Sequence, residues 1–414
     1  MKNHAITARK NVFAALNPGA LFMVDAGHAL HRSLDAYHDF HVDHNFYYLT
    51  GIDAPNARLV LLKTASSEKT MLFLEPDTEL SLKWEGPKFS KEAAMEVGGF
   101  KADEVYSLSQ FEALFNQLMN FARSPYGEPP HDIWLDLYHE SINSKPRPMQ
   151  TFQSLLENYP ELKVQNANAI LARLRMIKSD EEIAAIKKAI FYTHQGLKRI
   201  LKSLKERSYE YELVADFMHE TTLLGSAGEA FDTIAAAGEN ATVLHYVNNN
   251  APLKGDLILF DLGAKHGRYN ADISRTYPIN GTYEGFAKDV YDAVLDVQKR
   301  LIDMVKPGLT WKTLNDTAKE LLAEKAVALN MIDKAEAIGQ VYYHSVGHFL
   351  GLDVHDVGVY TEPFKPGMVI TIEPGLYGQG VGVRIEDNIL ITEEGCENLS
   401  AAIEKDPKAI EKML

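Results

Sequence analysis

Apolar and polar positions alternate in short blocks over the first third of the chain. Residues 20–24, 58–63, 70–74 and 133–137 are brief runs rich in Leu, Val, Ile and Phe, a pattern that predicts strands. Between them, Phe111, Leu114, Phe115, Leu118 and Met119 recur at helical spacing over 111–121, with Ser109 and Glu112 placed as a capping box. This part reads as α/β. A break follows over 171–178. Ser179-Asp-Glu-Glu182 is a second capping-box pattern, and Ile183, Ile186, Ile190 and Leu197 continue one helical face after it. Further helices are predicted over 211–224, 286–305 and 311–329. Beyond Pro363 the pattern turns to strands punctuated by Gly and Pro. The boundary between two domains is placed at about Arg173, giving residues 1–173 and 174–414.

Length agrees with that division, since 414 residues exceed what one compact core usually holds. A formal charge of −15 argues against sequence-independent nucleic-acid binding, which needs a basic surface. Cys396 is the single cysteine, so no intrachain disulfide can form and a reducing compartment suits the chain. The opening residues lack the apolar core of a signal peptide, and no stretch is long enough to span a bilayer. A cytoplasmic protein with no membrane partner is expected.

Against this ordinary background five residues stand out. Asp261, Asp272, His348, Glu373 and Glu386 lie in or beside apolar, strand-like segments of the last third. A carboxylate removed from water costs several kcal/mol unless a cation attends it, so such residues usually have one. Four carboxylates and one imidazole suit one or two hard-to-borderline divalent metals. The run 257–264 is apolar but for Asp261, and 269–277 contains Asp272. With His266-Gly267 as a two-residue hairpin loop, the two aspartates face one another directly across the strands, where like charges repel unless a cation lies between them. Next comes His344-Ser-Val-Gly-His348-Phe-Leu-Gly-Leu-Asp-Val-His355, three histidines among glycines that permit close backbone approach. The apolar run 368–372 ends in Glu373 at a Pro-Gly turn. Residues 381–392 alternate as one strand, with Arg384, Glu386 and Asn388 sharing a face.

The segments Phe260-Asp-Leu-Gly263, Asn270-Ala-Asp272-Ile-Ser-Arg-Thr276, the three-histidine run, Ile372-Glu-Pro-Gly375 and Val383-Arg-Ile-Glu386 resemble the metal-site motifs of the pita-bread metallopeptidases. Within these the chain is most similar to the Xaa-Pro aminopeptidase (aminopeptidase P) and prolidase family. The resemblance spans nearly the full length, more loosely at the N-terminal end through Arg32-x-x-Asp35 and Phe46-Tyr-Tyr-Leu-Thr-Gly51. It implies an α+β fold class: an α/β N-terminal domain of creatinase/aminopeptidase P type, then a pita-bread catalytic domain. It implies two divalent ions, manganese first, with cobalt, iron or zinc as alternatives. Asp261 would hold one ion, Asp272 and Glu386 would bridge both, and His348 and Glu373 would complete the second. His245, His355, Glu373 and Arg384 match catalytic positions, with Glu373 as proton shuttle, and His344 and Tyr377 match substrate-binding ones.

The implied activity is removal of the first residue from peptides with proline second, by a homodimer or homotetramer. A prolidase confined to Xaa-Pro dipeptides is the alternative that metal ligands alone do not separate. A non-catalytic peptide-binding module, which typically lacks some ligands, is the distant one. Two features lie outside this frame. His28, His31, His38, His41 and His44 form a histidine-rich stretch, read as a polar loop rather than a zinc site because no cysteine accompanies it. Trp84, in Lys-Trp-Glu-Gly86, is weakly similar to a family tryptophan at a neighbouring subunit's active site, and covering its own domain is the equal alternative.

Overall fold

The computed structural model describes residues 1–414 apart from Arg123 and Glu140. The chain divides into two compact units, Met1–Arg175 and Met176–Leu414, and each is α+β.

The first unit is built on a mixed sheet of β1 (Ala20–Asp25), β2 (Arg58–Lys63), β3 (Glu68–Leu74), β4 (Val105–Ser107), β5 (Asp132–Leu135) and β6 (Lys163–Asn166), in the order β4-β3-β2-β1-β5-β6. β1 is central. It pairs antiparallel with β2 and parallel with β5, and its residues 20–24 are buried on both faces, which is why it reads as a continuous apolar run. Leu21, Met23, Val60, Leu62, Met71 and Phe73 build one core face, closed by Phe115 and Leu118 of a helix spanning Phe111–Met119. That helix is capped differently from the expectation: a 3₁₀ turn over Leu108–Gln110 precedes it, and the reciprocal cap is Ser107 with Gln110. The extra turn moves the start signal two residues upstream of Ser109. Before the helix His44–Thr50, the histidine-rich stretch is largely irregular and exposed, apart from a short pairing of His31–Ser33 with Ala36–Tyr37. Trp84 ends the short helix Glu79–Trp84, which has no buried residue, and is itself 76% exposed.

In the second unit the helix Asp180–Ser203 begins with the capping box of Ser179 and Glu182 that the sequence predicts. A helix over Glu210–Leu223 follows. Three strands come next: β7 (Ile234–Ala237), β8 (Leu257–Leu262) and β9 (Ile273–Pro278), paired antiparallel in the order β9-β8-β7. Helices Gly285–Met304 and Trp311–Ala328 then lead to the C-terminal strands. Of these, β10 (Val369–Ile372), β13 (Asp387–Ile391) and β14 (Cys396–Asn398) form one sheet, and β11 (Gly375–Gly378) pairs with β12 (Val381–Arg384). Cys396 is half-buried on β14, with its thiol 3.5 Å from the Ile302 carbonyl, and burial pushes that thiol up.

Two strand expectations are corrected. The hairpin closes on His266 paired with Tyr269, so its loop is Gly267-Arg268, and Gly267 takes a φ of +58°, which glycine adopts readily. Tyr269 is 1% exposed and its hydroxyl donates to Glu182 Oε1 at 3.0 Å, an anchor that a loop at His266-Gly267 would displace. Asp261 therefore lies opposite Ser274, not Asp272. A slip of two residues preserves the face of every side chain, so Asp272 stays on the Asp261 face as a diagonal neighbour. Residues 381–392, read as one strand, are two. The chain leaves the pairing with β11 at Arg384 and joins β10 from Asp387. In between, the Glu386 amide donates to the Ser274 carbonyl at 3.0 Å. That break presses Glu386 against β9. The face of Arg384, Glu386 and Asn388 is fully buried.

Candidate metal centre

β8, β9, β10, β12 and the start of β13 bring the candidate ligands to one place. Ligand atoms of Asp272, His348 and Glu386 lie within 4.8 Å of one another, the one such grouping among the described residues. His348 Nε2 is 3.3 Å from Asp272 Oδ2 and 3.5 Å from Glu373 Oε1. Its Nδ1 faces the Phe349 carbonyl at 3.0 Å. With the proton on Nδ1 donated there, Nε2 keeps its lone pair for a cation. The histidine segment is tied to β10: the amides of Thr371 and Glu373 donate to the carbonyls of His348 and Val346 at 2.9 and 2.8 Å. Gly347 allows that approach, since a Cβ there would stand 2.0 Å from the Thr371 carbonyl oxygen.

Arg384 organises the carboxylates from beneath. It is 3% exposed and donates from NH2 to Asp261 Oδ2 at 2.7 Å, from Nε to Ser274 Oγ at 2.8 Å and from NH1 to the Tyr377 hydroxyl at 3.1 Å. Ser274 in turn donates to Glu386 Oε2 at 2.8 Å. One oxygen of each carboxylate is thus occupied. The others, Asp261 Oδ1 and Glu386 Oε1, are buried with no hydrogen-bond partner. Buried acceptors without donors are rare and costly, and an oxygen-coordinated cation accounts for both. Electrostatics agree. Burial, then the charges of Asp261 and Glu373, push the Asp272 carboxyl well up, and burial with the charge of Asp272 does the same to Glu386. Burial also raises Glu373, against the opposing pull of His348 and Arg384. Carboxyls so crowded favour either protons or a metal.

The remaining candidates flank this group. His344 Nε2 is 2.8 Å from the Tyr377 hydroxyl, its Nδ1 is 2.7 Å from the Ser345 carbonyl, and burial with the charge of Arg384 brings it down to about 4. It is therefore a neutral imidazole at neutral pH. The ring of His355 lies 4.2 Å from that of His348. Burial lowers His355, and the charges of His348 and His245 add to this. His245 is exposed on the segment after β7, within electrostatic reach of His344 and His355. The N-terminal histidines form no grouping of this kind among the described residues. Sequence reasoning missed Ser274 and Thr371, and put Asn388 on the face of Glu386 without giving it a role. Thr371 Oγ1 accepts from the His348 amide at 3.0 Å, and Asn388 exchanges hydrogen bonds with the backbone of Asp272. The signal was present for Ser274 and Asn388, each two residues beyond a ligand and so on its face of the strand.

Comparison with known proteins gives a consistent picture. Residues 184–393 match the model of metallopeptidase family M24, and residues 5–126 that of the aminopeptidase P N-terminal domain. The chain is 34% identical to a Haemophilus influenzae Xaa-Pro aminopeptidase, covering 98% of this chain and 96% of the other. An Escherichia coli Xaa-Pro aminopeptidase is 30% identical with the same coverage. Among solved structures, a Bacillus anthracis protein provisionally assigned as an aminopeptidase P superposes with a TM-score of 0.95 at 39% identity, over 100% of this chain and 98% of that one.

Proposed function

Since the chain belongs to metallopeptidase family M24, we propose that it is an exopeptidase releasing the first residue from peptides whose second residue is proline, acting with two divalent metal ions. The observation that carries the reading is the pair of unpartnered oxygens, Asp261 Oδ1 and Glu386 Oε1, beside Asp272, His348 and Glu373. The donor set of four carboxylates and one imidazole fits manganese, with cobalt, iron or zinc able to replace it. Asp261, Asp272, His348, Glu373 and Glu386 would hold the ions. Bound there, such a pair supplies Lewis acidity, lowering the pKa of a shared water from ~15.7 towards neutrality and polarising the scissile carbonyl.

The chain's own residues do the rest. Glu373, whose carboxyl burial raises, takes a proton from the attacking water and passes it to the departing proline nitrogen. His245 and His355 donate to the oxygen on which negative charge develops. Arg384 keeps Asp261 oriented and, through the Tyr377 hydroxyl, aims His344 towards the leaving side. Proline explains the need for a dedicated site: its amide nitrogen has no hydrogen and its ring fixes φ, so a peptidase that reads an N–H there does not accept it. Among the described residues no helix is long and apolar enough to cross a membrane. We place the enzyme in the cytoplasm, as a homodimer or homotetramer.

Metal-stripped protein reconstituted with manganese is expected to cleave a tripeptide Xaa-Pro-Yaa after its first residue. Cleavage of the dipeptide Xaa-Pro alone would make it a prolidase, and metal-dependent activity on neither would leave a binding module. His355→Ala is expected to slow turnover by about 10²–10³-fold, the worth of a donor to a developing oxyanion, with metal content unchanged. Stoichiometric metal loss in that variant would instead make His355 a ligand.

A further inference from the structure

Glu210 opens the helix Glu210–Leu223, is 0% exposed, and its side chain serves one segment of chain only. Its Oε1 accepts from the Ala237 amide at 2.9 Å and from Asn240 Nδ2 at 3.0 Å. Its Oε2 accepts from the Tyr246 hydroxyl at 2.8 Å and the Ala251 amide at 2.9 Å. All four donors are neutral. A carboxylate is expensive to bury, and drawing three of its four donors from one loop, with the fourth at the end of β7, ties that loop's shape to it. The loop, residues 238–251, has a 3₁₀ turn over Gly238–Thr242 and no other regular structure, so few backbone bonds of its own fix its path. It carries His245. On either side, Leu244 and Tyr246 pack against Ile234, Ala236, Ala241, Leu259 and Tyr377, and the Tyr343 hydroxyl donates to the Thr242 carbonyl at 2.5 Å. The imidazole is itself exposed, so its place beside His344 and His355 is set by the loop.

We propose that Glu210 is a positioning residue: by clamping residues 237, 240, 246 and 251 together it holds His245 at the reacting carbonyl. The proposal rests on the exopeptidase reading above. A residue acting this way affects the transition state through His245 and leaves the metal ligands alone, which separates it from a purely structural acid.

Glu210→Gln keeps the size of the side chain but turns an amide NH₂ towards the donors. With the manganese-loaded full chain and an Xaa-Pro-Yaa tripeptide, kcat is expected to fall by roughly tenfold to a hundredfold, as for a misplaced catalytic group. KM and metal content stay near wild type, and hydrogen exchange over 238–251 quickens. Adding Glu210→Gln to His245→Ala should cost less than about threefold more, because both changes act through one imidazole and such effects do not multiply. Where Glu210→Gln does not fold, Tyr246→Phe removes one donor and should show the same pattern at smaller size. Wild-type kcat in Glu210→Gln, unchanged exchange over 238–251, or losses that multiply with His245→Ala would overturn the proposal. Turnover by the wild type tests the exopeptidase reading by itself, and exchange over 238–251 tests the clamp without any substrate.

Discussion

Asp272→Ala is expected to abolish peptide turnover, by more than the ~10²–10³-fold that a single oxyanion donor is worth, and to remove most of the stability gained on adding manganese. Asp272 is 4% exposed and belongs to the closest grouping of candidate ligands. Its loss would leave His348 and Glu386 without the carboxylate between them. At a hundredfold excess over its Kd, a bound metal adds about 2.7 kcal/mol to the folded state. That increment, read as a rise in Tm, should shrink towards zero in the variant. Asp272→Asn separates charge from shape. It keeps the volume and removes one of the like charges that burial forces together, so the metal-free protein should melt higher than the metal-free wild type while turnover is lost. Near-normal turnover by metal-loaded Asp272→Ala would sink the assignment of this site.

Arg275→Met carries the largest expected cost in stability. Arg275 and Asp387 are both fully buried, with NH2 donating to Oδ1 at 2.7 Å. The same guanidinium donates to the carbonyls of Ser274, Glu386, Ile403 and Glu404 at 2.9, 2.6, 3.0 and 3.2 Å. It thus joins β9, the break before β13 and the C-terminal segment. Burial alone would raise the Asp387 carboxyl, but Arg275 and Lys405 hold it far below the usual carboxylate range. The sign follows directly: a depressed carboxyl contributes its full stability above the unfolded-state pKa and loses it only as pH falls through the lower folded value. The pair therefore stays ionised through mild acid. Removing Arg275 leaves Asp387 to Lys405 and takes the donor from four carbonyls, a loss on the scale of breaking a buried pair, about 3–5 kcal/mol, or roughly 6–20 °C in Tm for a unit of this size. Adding Asp387→Leu should recover little of that loss, because it also takes the acceptor from Lys405, Gln298, Asn398 and Ser400. A single variant melting within 2 °C of wild type, on the scale of about 1 kcal/mol or less, would show that the pair carries little of the fold.

The contrast between these residues explains what could be read from the sequence. Ser179 and Glu182 are three residues apart, so their capping box and the helix behind it are local facts. Asp261, Asp272, His348, Glu373 and Glu386 announced themselves because each is a polar group in or beside an apolar run; of these the structure brings ligand atoms of Asp272, His348 and Glu386 within 4.8 Å of one another, with Glu373 3.5 Å from His348. Arg275 sits in an equally apolar run, yet its partners lie more than a hundred residues away, and one chain offers no local sign of that pairing. Nothing local marks Glu210 either, since the groups that donate to it lie 27 to 41 residues further along the chain. The hairpin register failed for a different reason: His266, Gly267 and Arg268 admit a two-residue loop at either of two places, and the choice is made by Tyr269 reaching Glu182 in the helix Asp180–Ser203. The break at Ile385-Glu386 was hidden because alternation continues unchanged across it.

Finally, the two units have separate cores, so a single transition midpoint need not describe either of them. The sole thiol, Cys396, sits in the second. Half-buried and poorly ionised, it reacts slowly until β14 detaches. Alkylation of the native sequence therefore times the opening of the ligand-bearing unit alone, with the first unit spectroscopically present but chemically silent.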